Sequence, residues 1–317
     1  PMAVGVTLDY GLNRVQPTTV VVTDASASLI DWMSDDGATI VFGRVPAELR
    51  DVRPGDVVVF GVTPLTPLGL LRHVDAIVPS GEGLTLMTSP ATLEDVFEEA
   101  GLSLSRRLVP GDVQQALAQR RGVALRLPDE SMAAEALDEF FVEIEDVVLY
   151  DRDGNEATEN DQIRADGSIS LAPYLDFSLG VEDFRLTRLE FATGIVQNAE
   201  ITIHSEAEIF GLQRKLELGR YPFAPITIWV SWVPVVIAPV LTVNVGVDGS
   251  VYVGVETGIT ERAEARAGAR YDHGVWSPIG ELSLDLGFSP PRLSAGLEVK
   301  GFAGPQLNLL LYGVVGP

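Results

Sequence analysis

The later part of the chain alternates apolar residues with polar or small ones, the period-two pattern of β-strands that bury one face. The clearest stretch is LTVNVGVDGSVYVGVETGI, residues 241–259. Its valines lead into and out of Asp-Gly-Ser at 248–250, which predicts a β-hairpin with its turn there. Similar alternation in TERAEARAGARY and ELSLDLGF predicts an antiparallel β domain over residues 162–317, built as a β-sandwich or an elongated meander.

The first part of the chain is also β-rich in pattern, but it carries helix signals. Runs such as GATIVFG and GDVVVFGV predict short strands joined by turns. In SPATLEDVFEEAG, Ser89 can cap a helix, Pro90 suits its first position and Gly101 can end it, so short helices are expected near 89–120. We predict a smaller β-rich domain over 1–128 and an acidic junction over 129–161, in which DESMAAEALDEFFVEIED is a further helical candidate.

The uncharged segment YPFAPITIWVSWVPVVIAPVLTV, residues 221–243, is long enough to span a bilayer as a helix. Four prolines interrupt it, and a proline inside a helix costs about 3 kcal/mol. The β-branched runs 226–228 and 235–237 are typical of strands instead. We expect no transmembrane segment here.

The amino-acid composition limits the classes of molecule that the chain can bind. The 317 residues have 46% hydrophobic content, which excludes a wholly disordered chain. A net charge of −23 repels nucleic-acid phosphates and anionic lipid headgroups, so we expect no nucleic-acid partner. Such a charge also suits a protein that stays dispersed in salt or in the open medium.

Catalytic signatures are absent from the sequence. The chain has no cysteine, and its three histidines lie far apart, without the spacing of a zinc site. No GxSxG elbow and no glycine-rich phosphate loop occurs. Paired carboxylates for glycoside hydrolysis stay open as an alternative, because the acidic residues are too many to rank.

The best candidate for a metal site is DRDGNEATENDQ, residues 151–162. Asp151, Asp153 and Asn155 have the alternate spacing with which a loop directs oxygens at Ca²⁺. The pattern departs from an EF-hand at Glu156, where glycine is usual, and at Gln162, where a bidentate glutamate is usual. The alternative is an Asp-Gly-Asn turn without an ion.

Candidate partner-binding residues are aromatic. Trp229 and Trp232 are three apart, so on a regular strand they would face opposite sides, one in the core and one exposed. In the predicted hairpin, the valines form the core side. The other row, which includes Thr242, Asn244 and Tyr252, is then the surface on which to expect a partner.

Two stretches carry a family resemblance. RPGDVVVFGVTPLTPLGLLRHVDAI with TSPATLEDVFEEAG, and the region from PVVIAPVLTV to LNLLLYGVVGP, resemble parts of large, uncharacterised exported or cell-surface β-rich proteins of bacteria. These are turn and strand motifs, so the resemblance implies an extracellular or cell-surface location and a β architecture rather than an activity.

Together these features predict a non-enzymatic exported protein that acts in adhesion, surface assembly as a filament or surface-layer subunit, or recognition. Its expected partner is a protein, or another copy that pairs through β edges. One alternative is a carbohydrate-binding module or glycoside-active enzyme. Another is a lipid-binding carrier, in which apolar faces enclose a ligand.

Overall fold

The computed structural model describes residues 5–8, 13–114, 120–126, 139–155, 157–158, 161–205, 209–251, 255–288, 299–303 and 305–315. Within these ranges the chain is mainly β, which confirms the fold class that the alternation predicts. One short helix, α1 (Asp24–Ala27), and three 3₁₀ turns, Ala47–Leu49, Leu93–Asp95 and Pro110–Asp112, accompany the strands.

The strands are, in chain order, β1 (Gly5–Leu8), β2 (Arg14–Val15), β3 (Thr19–Val22), β4 (Ile30–Met33), β5 (Thr39–Phe42), β6 (Val57–Phe60), β7 (Leu70–Ser80), β8 (Gly83–Pro90), β9 (Phe97–Arg107), β10 (Val123–Arg126), β11 (Phe140–Asp151), β12 (Gln162–Glu182), β13 (Arg185–Ser205), β14 (Ile209–Pro222), β15 (Ile226–Val230), β16 (Val233–Val251), β17 (Val255–Asp272), β18 (Val275–Phe288), β19 (Val299–Ala303), β20 (Gln306–Leu311) and β21 (Val314–Val315).

These strands form three sheets. The long sheet has the order β1-β9-β12-β13-β17-β18, with β2, β10 and β11 beside it. The facing sheet has the order β14-β16-β20-β21, with β15 and β19 also paired to β16. The N-terminal sheet has the order β3-β6-β7-β8-β5-β4. All pairings are antiparallel except that of β3 with β6.

The long and facing sheets enclose a common hydrophobic core, which gives the sandwich-like arrangement. In β12 the odd-numbered residues point into this core and the even-numbered ones point outward, as period-two alternation requires. The facing sheet contributes a row of fully buried side chains from β16, which consists of Val235, Ile237, Leu241 and Val243.

The N-terminal sheet has a second core of its own, closed by α1. Its strand β6 reads Val-Val-Val-Phe and is buried on both faces. Val58 and Phe60 belong to the second core, whereas Val57 and Val59 join the core of the sandwich. A continuous apolar run is the sequence signature of such a doubly covered strand. The N-terminal sheet is therefore packed against the sandwich through β6.

The helices predicted near 89–120 are reduced, among the described residues, to two 3₁₀ turns at 93–95 and 110–112, and residues 115–119 lie outside the described ranges. Residues 83–90 and 97–107 are strands, so the predicted cap Ser89 lies in β8, and Thr92 caps the turn at 93–95 instead. Leu102 and Leu104 alternate with serines and pair with β12, so burial of this face outweighs the local helix signal. In the later helical candidate, residues 140–151 are also a strand, while residues 127–138 lie outside the described ranges.

The hairpin predicted at 248–250 is also wrong. Strand β16 continues through these residues to Val251, and β17 belongs to the other sheet. Gly249 pairs with Leu212 on one side and with Val299 on the other, so two neighbouring strands hold the Asp-Gly-Ser sequence extended. The prediction places Thr242 and Asn244 on a solvent-exposed face. Both are buried, because both faces of this central strand are covered.

Strand pairing crosses the predicted domain boundary near residue 128. Strand β9, from the predicted first domain, pairs with the second half of β12 in the predicted last domain. Strand β11, from the predicted junction 129–161, pairs with the first half of β12. A single sheet thus contains residues from all three predicted segments.

Candidate functional site

The predicted calcium loop brings three carboxylates together. One oxygen each from Asp151, Asp153 and Asp161 lies within 4.8 Å of the others. Asp161 is not part of the spacing pattern, and it takes the place expected for Asn155. The Asn155 side chain instead accepts a hydrogen bond from the backbone N–H of Ala157, at 3.3 Å.

Hydrogen bonds within this loop already engage its carboxylates. Asp151 accepts from the N–H of Gly154 at 2.9 Å, and Asp161 accepts from the N–H of Asp153 at 3.1 Å. The pKa of Asp153 is lowered, chiefly by the hydrogen bond that it accepts from the N–H of Asn155. These bonds do not satisfy the whole cluster, because Asp161 Oδ1 is buried and has no hydrogen-bond partner among the described residues. Binding of Ca²⁺ there stays a prediction.

The two candidate tryptophans are both exposed. Strand β15 ends at Val230 and β16 begins at Val233, so Ser231 and Trp232 form the turn between them, with Ser231 at φ 56°. Trp229 is 56% exposed and Trp232 46%, whereas Val230 and Val233 are fully buried. The expectation that one tryptophan lies in the core is wrong, because the strand turns before the alternation can carry Trp232 inward. Tyr252 lies outside the described residues.

A large cavity, which the sequence did not predict, lies where the three sheets meet. It has a volume of about 790 Å³ and is bounded by the N-terminal sheet, the 3₁₀ turn at 93–95, β13 and the turn after β20. Ligand pockets in proteins typically measure about 300–1,000 Å³. Most of the lining is apolar and includes Leu68, Leu70, Leu186, Leu189, Phe191 and Leu311.

The most unusual group in the lining is Arg72 on β7, which is only 9% exposed. Alternation along β7 places it on the same side as Leu70 and Val74. Burial lowers the pKa of the Arg72 guanidinium, while the charges of Asp36 and Asp75 act in the opposite direction. The group stays protonated in any case, because arginine does not lose its proton in proteins.

Three acidic residues also line the cavity. Asp35 and Asp36 are exposed, and Glu94 is half-buried. Glu94 accepts a hydrogen bond from the backbone N–H of Leu186 at 2.7 Å, which ties the 3₁₀ turn to β13. Tyr312 closes another part of the wall, and its hydroxyl donates to the carbonyl of Pro234. Hydrogen bonds between the 3₁₀ turn and the long sheet, and within the facing sheet, thus hold these parts of the cavity wall.

The comparisons with known proteins yield no relative for this chain. No family model matches it, and neither a curated protein nor a solved structure does so. Among the described residues, no helix is both long enough and apolar enough to cross a membrane. The segment 221–243 instead contributes to β14, β15 and β16, as its β-branched runs predict.

Sequence reasoning missed Asp161 and the whole cavity. Asp161 was overlooked because the EF-hand spacing directs attention to Gln162, which is buried and donates to Asp151 at 3.2 Å. A signal for Arg72 does exist. In LLRHVDAIV the alternation places an arginine between two core residues of the same face. A charged side chain is rarely buried without a partner, so its position in this apolar row indicates a specific role.

Proposed function

We propose that this chain is a non-enzymatic binding protein that holds an apolar or amphipathic small molecule in the cavity between its three sheets. This is the lipid-carrier alternative of the sequence analysis. The observation that carries it is the cavity of about 790 Å³ with a mainly apolar lining. Apolar lining with a few placed polar groups is the common character of small-molecule sites.

The electrostatics support binding over glycoside hydrolysis. A glycosidase needs a carboxylic acid whose pKa is raised so that it can protonate the leaving group. Where the surroundings shift a carboxyl pKa in the described residues, the shift is downward, at Asp36, Glu48, Asp95, Asp153 and Glu190. Asp176, an acidic residue of β12, forms an ion pair with Arg266 at 3.2 Å.

The neutral fluorophore N-phenyl-1-naphthylamine tests the proposal, since it brightens in apolar sites. We expect saturable binding to the wild-type protein and at least severalfold weaker binding to Ala91→Trp, which adds an indole to the cavity lining. The control is Ala224→Trp, the same change at an exposed position. Absent binding to the wild type, or equal binding to both variants, would contradict the proposal.

A second candidate function is adhesion or surface recognition, the leading expectation from the sequence. The observation that favours it is the hairpin turn that exposes both Trp229 and Trp232. Exposed tryptophans commonly anchor protein or sugar partners. We expect glycan-array or partner binding to disappear in Trp229→Ala and Trp232→Ala, with the fold retained. Binding that survives both changes would contradict this role.

Self-association is part of the same candidate function. The long strand β18 pairs with β17, and its other edge has no partner strand within the described residues. Free edges can pair with another chain. Light scattering at high concentration should then show dimers or larger species, and a monomer without fibres in electron micrographs would count against assembly. The proposed location remains extracellular or at the cell surface, on the strength of the acidic, cysteine-free composition.

A further inference from the structure

This inference rests on the proposed function and concerns the chemistry of the ligand. Arg72 carries a permanent positive charge and is only 9% exposed in the cavity wall. A buried charge is costly unless an opposite charge accompanies it. Within the described residues, however, no carboxylate lies within ion-pair distance of its guanidinium.

Neutral groups hold Arg72 in place without cancelling its charge. Its Nε donates to the Thr88 hydroxyl at 3.0 Å, and its Nη2 donates to the Thr88 carbonyl at 3.1 Å. The Thr88 hydroxyl donates its own proton to the carbonyl of Gly37 at 2.6 Å. The hydroxyl must therefore accept from Arg72, so Thr88 on β8, held in turn by the Gly37 carbonyl, determines the orientation of the guanidinium.

The nearest acids are engaged elsewhere. Asp36 accepts from the Ser34 hydroxyl at 2.7 Å and from the Ala38 N–H at 3.0 Å. Asp75 accepts from the Ser89 hydroxyl at 2.8 Å. Both are exposed, so water screens their field at Arg72. No described residue accepts from Nη1, which leaves this nitrogen free to bind a ligand.

We infer that the cavity binds a single-chain amphiphile with a carboxylate head, a fatty acid, whose head pairs with Arg72 and whose tail contacts the leucines of the lining. A planar guanidinium matches a carboxylate closely. One arginine balances one negative charge. A doubly charged phosphate head would bring an excess of charge towards Asp35, Asp36 and Glu94.

The test is competition with bound N-phenyl-1-naphthylamine at pH 8, with decanoic acid, decanol and decyl phosphate as competitors. We expect wild-type protein to prefer decanoic acid over decanol by at least about tenfold, the usual effect of a charge-assisted hydrogen bond. In Arg72→Met this preference should vanish, because decanoic acid loses its charged partner and therefore loses more affinity than decanol does. Arg72→Lys should retain part of the preference, because lysine keeps the positive charge but lacks the planar guanidinium that can bind both carboxylate oxygens.

The outcomes separate the two proposals. If the fluorophore and decanol bind but decanoic acid has no advantage, the carboxylate assignment fails and the proposed function stands. If decyl phosphate binds more tightly than decanoic acid, the head chemistry is wrong. If no compound binds, the proposed function fails, and this inference with it. Should Arg72→Met not fold, the acid-to-alcohol ratio of the wild type and of Arg72→Lys still decides.

Discussion

Thr88→Val tests whether Thr88 is the main internal support of the buried arginine. Valine keeps the shape of threonine, so the change creates no cavity at a position that is 5% exposed. It removes the acceptor for Arg72 Nε and the donor to the Gly37 carbonyl. A hydrogen bond to a charged group contributes about 1.5–3 kcal/mol and a neutral one about 0.5–1.5 kcal/mol. The free energy of unfolding should therefore fall by about 2–4 kcal/mol.

Urea unfolding measures this loss as a lower midpoint at unchanged slope. The matched control is Thr85→Val, on the same strand but half-exposed, which should change stability by less than about 0.5 kcal/mol. The decisive measurement is a double-mutant cycle with Arg72→Met. Removing both partners should cost clearly less than the sum of the single changes. Additivity within about 0.5 kcal/mol would refute the coupling inferred from the geometry.

Three further measurements probe other parts of the molecule. A Cβ at Gly268 would lie 1.9 Å from the backbone carbonyl oxygen of Phe191, so Gly268→Ala should cost about 1–3 kcal/mol in thermal unfolding. Gly280→Ala, with open space around it, should be nearly neutral, and equal effects would contradict the packing. Burial raises the pKa of Tyr221 from 10.0 to about 12, so the folded state keeps the phenol proton that the unfolded chain loses. Stability should then fall by about 2–3 kcal/mol between pH 10 and 12, and Tyr221→Phe should lack this part of the decline. The predicted calcium loop is tested by calorimetric titration with Ca²⁺. We expect heat of binding with the wild type and none with Asp153→Asn, and a wild type that gives no heat of binding would contradict the prediction.

The amino-acid sequence predicts the strands better than their partners. Alternation identifies β12 because this strand buries one face, so that buried and less buried residues follow each other along the sequence. The helix signal at 89–101 fails because capping residues report only on the conformational preference of the local chain. Pairing of β9 with β12 depends on residues distant in sequence, and it outweighs that local preference.

The candidate site was harder to predict for the same reason. The cavity walls come from segments as distant as Met33, Leu68, Leu186 and Leu311, and no local pattern reports that they meet. The acidic loop could be predicted in part, because Asp151 and Asp153 are neighbours in the chain. Its third carboxylate depended on how the loop closes.

The topology of the long sheet has a consequence for the order of folding. The β12–β13 and β17–β18 ladders each join strands that are consecutive in the chain, across turns at 183–184 and 273–274. Each hairpin can therefore form early from local contacts. The β13–β17 ladder must instead wait until the chain of β14–β16 has been looped out, which imposes a closure entropy before any contact is gained. We expect the two long hairpins to form first and the β13–β17 ladder to form late. Substitutions along this ladder should therefore accelerate unfolding more than they slow folding.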